Sequence, residues 1–148
     1  DGRGWGQLVN LVMGHDDVVN AWIAKRYGFT VLQSPSVLVG VIDGDGGLRG
    51  AFVTTWRNDT TAELHLFGRT SNDTWRAYFA WVFDLVHRLE ICTDKRNKAI
   101  KKAAPKFGFR FEGVGKDYYG PGRDALRFYM TPQHCRWIRA DGISVQFA

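Results

Sequence analysis

The sequence has 148 residues, 45% hydrophobic and 24% charged, with a formal net charge of +5. That is enough for one buried core, so a single globular domain over 1–148 is expected, with a core over 7–138 and a tail over 139–148. No apolar run approaches the roughly 20 residues that span a bilayer, and no leader-peptide pattern stands at the start. Two cysteines, Cys92 and Cys135, are too few for a disulfide framework. The expectation is a cytoplasmic protein with reduced thiols and no membrane contact.

In chain order, residues 7–13 read as a first strand. Asp16 and Asp17 open a helix that carries Val19, Trp22, Ile23 and Tyr27 on one face and closes with Lys25, Arg26 and Gly28, the acid-first and base-last order that suits the helix dipole. Ser36–Ile42 and Leu48–Trp56 are apolar, β-branched runs joined by Asp43-Gly-Asp-Gly-Gly47, a strong hairpin signal. Thr61–Phe67 follows the turn Arg57-Asn-Asp-Thr60 and completes an antiparallel meander.

Trp75, Tyr78, Phe79, Val82, Phe83, Leu85 and Val86 recur at helical spacing and predict a core-facing helix over 73–88. Leu89–Thr93 is a strand, Asn97–Phe107 a helix with Pro105 late in it, and Phe109–Val114 and Asp124–Thr131 are strands. The tail segment Ile143–Phe147 alternates and reads as an edge strand or a contact with a partner. Strand, helix, three strands, helix, strand, helix and two strands make a mixed α/β sheet covered by helices.

Charge is concentrated in one place. Lys95, Arg96, Lys98, Lys101, Lys102, Lys106 and Arg110 share a stretch in which Asp94 is the lone acid. It reads either as a solvated helix face or as a patch for phosphates, whether of a cofactor or of nucleic acid.

The run from Asn97 through Phe107-Gly108-Phe109 to Phe111-Glu112-Gly113 resembles the C-terminal signature of the GNAT (Gcn5-related) N-acetyltransferases. That resemblance implies a mostly antiparallel central sheet flanked by helices, with a V-shaped opening between the fourth and fifth strands. It implies acetyl-CoA, or another acyl-CoA, as cosubstrate in the V, along Leu66 and Phe67 of the fourth strand. The pyrophosphate would lie over Gly68–Arg76, with Asn97 and Lys101 on the helix after the fifth strand.

Two departures from the family pattern stand out. The family's glycine-rich loop is here Gly68-Arg-Thr-Ser-Asn-Asp-Thr-Trp-Arg76, with its one glycine at the start. Side chains of Arg69, Ser71, Asn72, Thr74 and Arg76, beside Trp75, would then replace backbone donors, with Asp73 opposing them. Ser71, Asn72 or Asp73 also fits a helix N-cap. This polar, Trp-containing segment is similar to that of phage- and prophage-encoded relatives. The family's tyrosine, seven residues beyond the asparagine, falls on Ala104.

Proton donors to replace that tyrosine are Tyr118 and Tyr119, in the turn between the last two strands, or else these are surface aromatics. The strand before that turn is expected to lie beside the fifth. Glu63 and His65 alternate on the fourth strand and so share a face. They resemble the strand glutamate and strand histidine that serve as bases in the family, and also fit a satisfied structural pair. Glu90 is a third candidate base. Cys92 reads as a buried inert thiol or a nucleophile. The histidines His15, His65, His87 and His134 are scattered and no metal is expected.

The resulting expectation is acyl transfer to a primary amine of a small molecule or protein by direct attack in a ternary complex, from a monomer or homodimer. Its rivals are a catalytically silent binding module and a nucleic-acid-associated protein that uses residues 95–110 with exposed Trp and Tyr.

Overall fold

The computed structural model describes residues 11–28 and 36–136. A seven-stranded sheet carries the fold, in the order β1-β2-β3-β4-β5-β7-β6. The strands are β1 (Leu11–Val12), β2 (Ser36–Ile42), β3 (Leu48–Trp56), β4 (Thr61–Gly68), β5 (Arg88–Asp94), β6 (Arg110–Gly115) and β7 (Ala125–Met130). Three helices, α1 (Asp16–Tyr27), α2 (Asn72–Val82) and α3 (Lys98–Phe107), cover the sheet, and a short 3-10 turn spans Pro132–His134. Among the described residues every pairing is antiparallel except β4 with β5.

Alternation along the strands sorts side chains onto two faces. Ala62 and Leu64 of β4, Leu89 and Ile91 of β5, and Phe128 and Met130 of β7 join Trp75, Tyr78, Phe79 and Val82 of α2 in the larger core. Phe52 stacks on Tyr78 with ring centroids 4.3 Å apart, and the buried Tyr78 hydroxyl meets Thr54 Oγ1 at 2.7 Å. Burial raises the Tyr78 phenol well above its ordinary range, so it stays neutral and structural. The smaller core, on the opposite face, sets Val19 and Ile23 of α1 against Leu38, Ala51 and Val53.

The expected helix over 73–88 ends at Val82. The amides of Leu85 and Val86 both bond the Val82 carbonyl, and those of His87 and Arg88 bond the Thr60 carbonyl. The chain is thereby pulled into register with β4, although Leu85 and Val86 continue the apolar period. Pro105 lies inside α3 and the helix runs past it to Phe107. The strand before the Tyr118–Tyr119 turn is also placed otherwise than expected. It is β6 at the sheet edge, while β7, after the turn, pairs with β5. The first strand is described only at Leu11–Val12; its residues 7–10 and the alternating tail 143–147 lie outside the described residues.

The family-like run has a structural explanation for each member. Asn97 caps α3, accepting from the Ile100 amide at 3.2 Å and donating to Thr93 Oγ1 at 3.0 Å. Gly108 ends the helix at φ +111°, where an added Cβ would lie 1.9 Å from the His134 carbonyl oxygen. Phe109 is buried, Glu112 pairs with Arg88, and β6 shifts register between Phe111 and Gly113.

Candidate active site between the fourth and fifth strands

β4 and β5 pair at Thr61–Arg88, Ala62–Leu89 and Glu63–Glu90, and beyond Glu63 they part. A cavity of 260 Å³ fills the opening. One wall is Leu64, His65, Leu66 and Phe67, and the other is Ile91, Cys92, Thr93 and Asp94. Trp75 closes it from α2, Asn97 and Ile100 from α3, and Tyr119 and Arg123 from the β6–β7 turn. The V lies where the resemblance implies.

Glu63 and His65 share a face, as alternation requires, and they touch. His65 Nε2 is 3.2 Å from Glu63 Oε2. The side chains differ in exposure, Glu63 at 6% and His65 at 43%. The other Glu63 oxygen accepts from the Arg57 guanidinium in a close ion pair, and that bond raises the Arg57 guanidinium further into its charged range. Glu63 is thus an interior carboxylate with both oxygens engaged, and of the pair only His65 lines the cavity. From sequence, Arg57 reads as no more than part of a turn. The signal that could find it is a base at the end of one hairpin strand with an acid just inside the next.

Tyr119 is half-buried, and its hydroxyl donates to the Cys92 carbonyl at 3.3 Å with Cys92 Sγ at 3.9 Å. Desolvation, then the contact with Cys92, raises its phenol well above the usual range. It remains protonated at physiological pH, as a donor must, with a smaller driving force than an unperturbed phenol has. Tyr118 is 54% exposed and meets the Tyr119 ring edge-on at 4.8 Å. Cys92 itself is buried.

The remaining candidates divide. Leu66, Phe67, Trp75 and Asn97 line the cavity, while Gly68, Arg69, Ser71, Asn72, Thr74, Arg76 and Lys101 are not among its walls. Ser71 is the N-cap of α2, in a reciprocal capping box with Thr74, so both side chains are spent on the helix start. Gly68 sits at φ +81°, where a Cβ would come within 2.3 Å of the Arg49 carbonyl oxygen. Its missing side chain serves the β3–β4 approach. Arg69 faces a separate hollow with Asp43 and Arg49. Lys101 Nζ donates to the Lys95 carbonyl at 3.2 Å.

Glu90, the third candidate base, accepts from Arg88 Nε at 2.9 Å. Among the described residues, no group of three or more His, Cys, Asp and Glu is placed to hold a metal, and no helix is long and apolar enough to cross a membrane.

A mixed, mostly antiparallel sheet whose one parallel pair splays open is the fold of the GNAT acetyltransferases. Among solved structures, an IAA acetyltransferase from Bacillus cereus matches with a TM-score of 0.66 at 14% identity, covering 83% of this chain and 99% of its own. An aminoglycoside 6'-acetyltransferase type Ii matches at 0.62 and 15% identity, covering 82% and 96%. A GCN5-related N-acetyltransferase from Brucella melitensis matches at 0.56 and 24% identity over 65% of this chain, which spans about half of that longer protein, 51%. At these identities the likeness is one of fold. No family model matches the sequence, and comparison with curated proteins finds no match.

Proposed function

We propose that this chain is an acyl-CoA-dependent N-acyltransferase that moves an acetyl group from acetyl-CoA to a primary amine. The parting of β4 from β5 after Glu63 carries the reading, because it leaves strand edges and a cavity between them where an ordinary sheet has a continuous ladder. The fit is sound: an extended amide-bearing arm can take the hydrogen bonds that β5 relinquishes, with Leu64 and Ile91 as apolar walls. The cosubstrate supplies the activated acyl carbon and a thiol leaving group.

His65 is the proton acceptor, since it faces the cavity and Glu63 does not. Glu63 orients the imidazole, and Arg57 holds Glu63 in place. Whichever amide of Leu66 and Phe67 faces the gap rather than β3 polarises the thioester carbonyl. Tyr119, assisted by Tyr118, returns a proton to the leaving sulfur, a role that Ala104, 1% exposed in the core, has no group to perform. For the phosphates, the α2 start offers its backbone amides with Asn72 and Arg76 nearby, while Ser71 and Thr74 are occupied by capping.

Calorimetry and thermal unfolding with acetyl-CoA, followed by thiol release over a panel of amines, test this reading. A ligand at a hundred times its Kd should stabilise the fold by about 2.7 kcal/mol. No heat and no stabilisation at millimolar acetyl-CoA would remove it.

A further inference from the structure

Beyond acyl transfer, we propose that α3 and the edge strand β6 form a docking surface for single-stranded nucleic acid. The lysines Lys98, Lys102 and Lys106 recur at i, i+4 and i+8, so they form one stripe along α3, with Lys101 beside it. All are exposed, and so is Lys95 before the helix. Residues 95–111 contain no Asp or Glu, and among the described residues these five lysines form no ion pair.

That arrangement is unfavourable for an isolated helix. Like charges at i,i+4 repel, and Lys98 occupies the first helical position, where the helix dipole already disfavours a cation. The stripe runs about 12 Å at roughly 1.5 Å per residue. Phosphates recur along one strand of a duplex about every 3.4 Å of axis. A flexible chain of phosphates can therefore meet each lysine in turn and relieve the repulsion.

The second observation is an exposed ring on the side of the sheet that α3 covers. Phe111 and Val114 of β6 are 58% and 55% exposed. Their partners across the ladder, Phe128 and Leu126, belong to the core that Ala104, Ile100 and Phe107 of α3 also join, so both side chains emerge on the α3 side of the sheet. Phe111 meets Phe128 edge-on at 5.8 Å and 73°, a contact that supports the ring from one side. A cationic track and an exposed aromatic ring on one side of a sheet suit a single strand, whose phosphates follow the charges while a base stacks on the ring. A paired duplex offers no unstacked base, which favours a single strand as occupant. The described tryptophans Trp22, Trp56, Trp75 and Trp81 are buried or half-buried, so among the described residues on this side the exposed ring is that of Phe111.

The test is fluorescence anisotropy with a labelled single strand of about 20 nucleotides, DNA and RNA in turn, over roughly 50 to 300 mM salt. The intact chain is compared with the Lys98→Ala/Lys102→Ala/Lys106→Ala triple variant and with Phe111→Ala, each checked by thermal unfolding. The wild type should bind with a falling log K against log salt. The triple variant should flatten that slope by about 2, at roughly 0.7 for each phosphate left without its lysine. Phe111→Ala should weaken binding about 5- to 150-fold at every salt concentration, with the slope unchanged.

Absence of binding at the lowest salt, or binding indifferent to the triple variant, overturns the proposal. A triple variant that loses binding while Phe111→Ala keeps it shows a general polyanion surface and overturns the single-strand claim. Displacement of the strand by acetyl-CoA, together with loss of acetyl-CoA affinity in the triple variant, assigns the lysines to the cosubstrate's phosphates and also overturns it. Acyl-transfer activity on a small amine should be unchanged in both variants, so this proposal and the enzymatic reading fail separately.

Discussion

On the sheet face that carries His65, Glu63 is matched by Arg57, Glu90 and Glu112 by Arg88, and Asp94 by Arg96 and Arg123; on the α3 face, five lysines meet no acid among the described residues. The first arrangement fixes charges in place. A carboxylate paired with an arginine cannot wander or collect a stray cation, so it can aim a neighbouring imidazole. The second leaves charge unspent, available to whatever anion arrives. Both regions would count as polar by composition, and pairing alone separates a site suited to chemistry from one suited to recognition.

The sharpest break in the comparison comes from His65→Ala. It should lower kcat by about 10² to 10⁴, the range for loss of a general base. His65 is 43% exposed, so thermal stability should fall only by the lost contact with Glu63. Full turnover would leave His65 a surface residue. Tyr119→Phe comes next, with kcat falling about 10²-fold at constant acetyl-CoA affinity. Phe keeps the ring, so lost packing cannot explain such a drop, and unchanged turnover transfers the donor role to Tyr118 or water.

Arg57→Ala should have a smaller effect, because Arg57 acts through Glu63. We expect roughly tenfold lower kcat. Acetyl-CoA affinity should be unchanged, because Arg57 is not among the cavity walls. Arg57→Lys should restore part of the rate. Unchanged turnover would make the ion pair purely structural.

The smallest effect belongs to Asp94. Arg96 first, then Arg123, hold its carboxyl well below the usual carboxylate range. A depressed folded-state pKa means that the unfolded chain takes up the proton first. The stabilisation is therefore present above about pH 3.9 and fades as pH falls through the folded value. Asp94→Asn should lower thermal stability at neutral pH, and the gap to wild type should close on acidification below about pH 4. A gap that persists there would point to packing rather than charge.

Much of the fold was legible in the sequence because its signals are local. Gly28 and Gly108 stop helices, the Asp43–Gly47 turn fixes a hairpin, and β-branched runs mark β2 and β3 to the residue. What failed depends on long-range pairing. The early end of α2 follows from the Thr60 carbonyl binding the amides of His87 and Arg88, which no helical period reveals. The insertion of β7 between β5 and β6 is likewise a sheet-order fact. At the candidate site, alternation was enough to place Glu63 beside His65. It was not enough to find Arg57, or to show that Ser71 and Thr74 spend their hydroxyls on each other and on the α2 start.

The central claim is that acyl-CoA occupies the gap between β4 and β5, and amide hydrogen exchange tests it most directly. Along Leu64–Phe67 alternate N–H groups aim at β3 and at the gap, because strand amides point to opposite edges in turn. With saturating acetyl-CoA, exchange of the gap-facing amides in this segment should slow markedly, while the Asp43–Gly47 turn on the far hairpin is unchanged. Equal exchange over 64–67 with and without acetyl-CoA, under conditions where calorimetry shows it bound, would place the cosubstrate elsewhere and contradict the account.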